Sequence, residues 1–131
     1  MAEAHELAED WLRFAREDLG SATAMVQEPE HHRPRHAYFA AQQAAEKAIK
    51  AVCVAEQIPF PFSHDLEELT ALLGFDHAVT HASSDLAWLS QGAVQNRYPD
   101  AGEPDWPDAK RARKAAVLVV EAAGHDVEAA R

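Results

Sequence analysis

Residues 37–56, AYFAAQQAAEKAIKAVCVAE, constrain this chain more than any other stretch. They are rich in alanine and hold neither glycine nor proline. Tyr38, Ala41, Ala45, Ala48, Val52 and Ala55 recur at helical steps, and Phe39, Ile49 and Cys53 carry the apolar surface round the helix. A helix apolar on several sides is surrounded by other elements, so it is expected at the centre of a bundle. Its small side chains let neighbouring helices approach closely. The pattern predicts a helix over 34–57, with Glu46, Lys47 and Lys50 on a solvated face where they pair with one another.

The flanking stretches supply partners of the same kind. Trp11, Ala15, Ala22 and Met25, widened by Phe14 and Leu19, predict a helix over 3–25. Gly20 inside it suggests tight packing. Asp18 falls on the apolar face and needs a partner there; a structural ion pair is the favoured reading over a functional acid. QEPEHHRPRH, residues 27–36, reads as a linker. IPFPFS, residues 58–63, breaks the chain again. Ser63 is the expected N-cap of a third helix in HDLEELTALL, closed by Gly74. Val79, Ala82, Leu86, Leu89 and Ala93 step by three and four and predict a fourth helix over 78–97. Arg97 continues that seam, and Pro99 disfavours helix at Tyr98. The spacing therefore aims Arg97 inward at the open end of the helix. Asp105 is the expected cap of a fifth helix, with Pro107 in its first turn and Ala109, Ala112, Ala116, Val119, Val120 and Ala123 along its buried side. Gly124 is expected to end it, with a frayed tail beyond.

Five helical segments joined by short connections, with no strand pattern, predict a single all-α domain: an up-and-down antiparallel bundle. At 131 residues it can bury enough surface to fold without metal or disulfide, and Cys53, the one cysteine, reads as an inert core thiol. The formal charge of −10, from 22 acids against 12 Lys and Arg, argues against non-specific DNA binding. KRARK at 110–114 is a local exception, close in sequence to Arg97. No apolar run approaches a membrane span, and the start lacks a signal-peptide pattern, so a soluble cytoplasmic protein is expected. His32–His36 and His77–His81 have four-residue spacing but no evident third ligand, so no metal and no cofactor is expected. His64 reads as a structural histidine bonded across to the second helix or to Asp18. Trp106 reads as helix-start packing. The chain has no glycine-rich phosphate loop and no nucleophile elbow.

Taken in order, WLRFAREDL (11–19), YFAAQQAAEKAIK (38–50), IPFPFSHDLEEL (58–69) and RYPD (97–100) resemble the HEPN domain family over nearly the whole chain. The resemblance implies a helical bundle that usually dimerises, with the arginine near the dimer cleft. It also implies kinship with domains that stand beside small nucleotidyltransferases. Many family members are metal-independent ribonucleases, with an arginine followed four to six residues later by histidine. Here Arg97 has its counterpart, but positions 101–103 are Ala101, Gly102 and Glu103. The histidine that would move the proton is missing, and Tyr98, with a phenol near pKa 10, is a poor base. The expectation is an accessory or regulatory protein, a homodimer that acts with a nucleotidyltransferase as part of a toxin–antitoxin pair. Its cleft would hold a nucleotide or phosphate through Arg97, Tyr98, Lys110, Arg111 and Lys114, with Asp18 and His64 in second rank. An RNA endonuclease relying on Arg97 and Tyr98, and a purely structural oligomerisation module, are the alternatives.

Overall fold

The computed structural model describes residues 2–95 and 102–131. Within them lie five α-helices and no strand: α1 (Ala2–Gln27), α2 (Pro34–Ala55), α3 (Leu66–Ala71), α4 (Leu86–Gln95) and α5 (Trp106–Ala129). Two short 3-10 turns, Pro29–His31 and Ala78–His81, sit in the connections. Pro34 opens α2, where its missing N–H costs nothing.

Helix α2 is central, as its composition predicts. Ala37, Ala41, Ala44, Ala45, Ala48 and Ala51 are fully buried, as are Ile49, Val52 and Cys53. Helices α1 and α5 pack along it, and α3 and α4 cover a further side. Alanine faces on α1 (Ala8, Ala15, Ala22) and α5 (Ala112, Ala116, Ala123) meet it, which permits the close end of helix spacing, near ~8 Å. Helices α2 and α5 run in the same direction. Arg35 at the start of α2 reaches Glu103 just before α5, and Ala55 and Ala130 line one cleft at the other end.

Several details depart from the sequence expectations. The fourth helix is not continuous over 78–97. A 3-10 turn occupies Ala78–His81, and α4 starts only at Leu86. Ser83 Oγ accepts from Asp85 N–H (3.1 Å), an amide that a continuous helix would give to the carbonyl of His81, while Asp126 on α5 caps the 3-10 turn by accepting from the N–H groups of Ala78 and Val79 (2.8 and 2.9 Å). Asp65, not Ser63, caps α3, accepting from Glu67 and Glu68 N–H; Ser63 Oγ instead accepts from Asp65 N–H and donates to Glu68. Gly124 does not end α5, which runs on to Ala129, and Asp126 and Val127 are buried rather than frayed. Gly20 packs against nothing and is exposed. On α1 the buried stripe is Ala8, Leu12, Ala15 and Ala22, while Phe14 is 44% exposed. Phe39 on α2 is likewise half-exposed.

Other expectations hold. Asp105 caps α5 in a reciprocal capping box with Asp108, and Pro107 lies in the first turn. Gly74 follows α3 with φ +82°, a left-handed conformation that favours glycine. Burial pushes the Cys53 thiol up to about 11, which keeps it protonated and inert.

Candidate functional site

The face of α2 expected to be solvated is instead its most polar buried surface. Gln42, Glu46 and Lys50 stand at four-residue steps, one above the other, and are 0, 4 and 7% exposed. Glu46 Oε2 receives Lys50 Nζ at 3.0 Å, and Oε1 lies 2.7 Å from His64 Nδ1. Gln42 Nε2 donates to Glu46 Oε1 at 3.2 Å and to the His64 carbonyl at 3.3 Å. Burial works against ionisation of Glu46, but the bonds from His64, Lys50 and Gln42 outweigh it and hold the carboxyl below its usual range. One carboxylate thus ties the loop before α3 to the central helix.

His64 is the outward edge of this network. Its ring is partly exposed, with Nδ1 turned to Glu46. In the neutral ring Nδ1–H donates to the carboxylate and Nε2 is left as an acceptor. Phe62 meets the imidazole edge-on at 6.1 Å and is itself 99% exposed. Phe60 is held between Trp11, edge-on at 6.2 Å, and the Lys50 ammonium at 5.5 Å. The prolines at 59 and 61 restrict this aromatic loop. The arrangement presents an apolar ring beside an imidazole with a fixed orientation.

The other sequence-derived site residues that are described lie on α1 and α5. Asp18 has its structural partner in Lys47, at 2.6 Å, and does not bond His64. Arg111 grips Asp85 with two prongs (2.6 and 3.2 Å) and stacks 4.0 Å from the Trp88 ring centroid, joining α5 to the start of α4. The Arg111 bond holds the Asp85 carboxyl below its usual range. Lys110 and Lys114 are exposed on the same helix. Arg97 and Tyr98 lie outside the described residues. Glu103, six positions past Arg97, pairs with Arg35 at 2.7 Å. Of the spaced histidines, His77 bonds Glu56 and His81 bonds the Phe75 carbonyl.

Beside the site, α4 lies hard against α2. The buried Tyr38 hydroxyl shares its proton between the Trp88 and Leu89 carbonyls (2.9 and 3.1 Å). Burial drives its pKa well above the ordinary phenol value. A Cβ at Gly92 would overlap the Tyr38 ring, so this approach requires glycine. Ser90 Oγ, also on α4, accepts from Leu66 N–H at 2.8 Å and links α4 to α3.

The HEPN domain model matches residues 8–126, which covers this network and reaches into all five helices. The chain belongs to the HEPN domain family. Among solved structures, TT1696 from Thermus thermophilus is 27% identical, covering 91% of this chain and 97% of that one, with a TM-score of 0.74. ST0689, described as an archaeal HEPN homologue, is 23% identical over 92% of this chain and 97% of that one, with a TM-score of 0.70, and shares the fold. No protein with a curated description matches. Among the described residues, no helix of this HEPN domain is long and apolar enough to cross a membrane.

Proposed function

We propose that this HEPN domain is a non-catalytic accessory or regulatory subunit, a cytoplasmic homodimer that acts with a small nucleotidyltransferase in a toxin–antitoxin pair. In this reading its cleft takes a nucleotide or phosphate group through Arg97, Tyr98, Lys110 and Lys114, with Arg111 fixing the wall against Asp85. The observation that carries the reading is residues 101–103. They are Ala101, Gly102 and Glu103 where a ribonuclease of this family would have its histidine, and Glu103 is engaged with Arg35. A carboxylate there repels RNA phosphates. Titration with ATP should raise the melting temperature of the wild type and not that of Arg97→Ala. Equal shifts, or none, would remove the nucleotide cleft. Copurification of a coexpressed small nucleotidyltransferase with this chain tests the partnership separately.

A second reading rests on one specific feature. The Glu46–His64 pair is an oriented imidazole of the kind that serves as a general base. It would stand in for the missing histidine in an RNA endonuclease. Metal-free cleavage of RNA that is lost in both Arg97→Ala and His64→Ala would favour this reading over the accessory role.

A further inference from the structure

The first turns of α1 meet the last turn of α5. There His5, Glu9 and Glu128 converge, each with a metal-ligating atom within 4.8 Å of the others. We propose that these three side chains form a binding site for a divalent transition-metal ion of the zinc type.

His5 and Glu9 are four residues apart on α1 and therefore stack on one face, a spacing that lets two ligands of one helix share an ion. Glu128 comes from the neighbouring helix, so the three donors approach from two sides. The imidazole is the informative member. His5 Nδ1 is buried with no hydrogen-bond partner, and Nε2 lies 3.5 Å from Glu9 Oε1, too long for a strong bond. A largely buried imidazole left so poorly bonded is a costly placement. Two carboxylates brought beside it from different helices repel one another, and Arg131, 3.1 Å from Glu128, offsets only one of them. A cation held through Nε2, the nitrogen that faces Glu9, offsets that repulsion and replaces the long Glu9 contact with a firm one.

The donor set suits such an ion: imidazole nitrogen is a good ligand for zinc, and carboxylate oxygens complete three of four positions. Zinc takes donors at about 2.0–2.2 Å, so the three must draw closer together than they stand. Glu9 and Glu128 have exposed side chains free to make that movement. Access is open, because a cleft of about 340 Å³ lined by His5, Glu6 and Arg131 adjoins the cluster. Once filled, the site pins the start of α1 to the end of α5, the two helix ends that no other side-chain bond among the described residues connects.

The test uses the whole chain after EDTA treatment, with zinc chloride added. Calorimetry should show one ion bound per chain. At a free zinc concentration about 100 times the dissociation constant, the melting temperature should rise by about 8 °C. His5→Ala should abolish the rise, and Glu128→Gln, a conservative change at an exposed position, should weaken binding at least tenfold. Glu6→Gln, beside the cluster but outside it, should bind as the wild type does. No zinc-dependent shift, or a shift undiminished in both His5→Ala and Glu128→Gln, overturns the site.

Discussion

Replacing Glu46 by glutamine removes one charge and keeps the shape. In the folded chain Glu46 accepts from Lys50, His64 and Gln42, and it is 4% exposed. The amide keeps one acceptor and turns a donor toward groups that also donate. Two charge-assisted bonds weaken, and Lys50, 7% exposed, keeps a buried charge without its counterion. Breaking such a pair from one side costs about 3 kcal/mol, against a total stability on the order of 5–15 kcal/mol. For a chain of this length that is about 10 °C in melting temperature. The pH dependence gives an independent check. The folded pKa of Glu46 lies below its ordinary value, so its contribution is present above about pH 4.5 and is lost as pH falls through the folded value. Urea melts of the wild type and Glu46→Gln should therefore differ most at neutral pH and converge in acid. Pairing Glu46→Leu with Lys50→Met should restore most of the loss, because an apolar pair of similar volume needs no counterion. A Glu46→Gln cost below about 1 kcal/mol, or a gap that persists unchanged to about pH 3, would refute the buried carboxylate as the centre of the network.

Asp126→Ala should cost about 3–4 kcal/mol, since two backbone N–H groups at 78 and 79 lose their acceptor; amide hydrogen exchange should show protection lost at those two positions first. Gly92→Ala should cost about 1–3 kcal/mol by forcing α4 off the Tyr38 ring, read as a lower urea midpoint with an unchanged slope. For His77, burial favours the neutral ring, but the Glu56 bond outweighs it and raises the pKa above the ordinary 6.5. That contribution is complete below pH 6.5 and disappears as pH rises through the folded value, so the stability gap between wild type and His77→Gln should be widest below about pH 6.5 and shrink as pH rises above it.

The central position of α2 is legible because a helix apolar on several sides has only one place to go. The same logic, carried further, corrects the expectation at Glu46 and Lys50. If the apolar surface continues round α2, no solvated face is left for Gln42, Glu46 and Lys50, and their four-residue spacing marks a polar seam inside the bundle. Leu86 and Leu89 do belong to the core, yet the helix that bears them starts at Leu86 rather than at position 78. Periodicity does not register that Asp126, 47 residues beyond Val79, takes the amides of the preceding turn. Arg111 is legible as a cation near the start of α5. Its commitment to Asp85 and Trp88 is a tertiary contact between helices whose relative rotation the sequence does not state.

The Tyr38 hydroxyl holds two successive carbonyls of α4, and Gly92 lets the helix rest directly on the ring. A helix of only ten residues, seated on one phenol, is oriented by that phenol as a balance beam is by its pivot. The direction in which α4 runs is therefore written far upstream, in a side chain that never meets solvent.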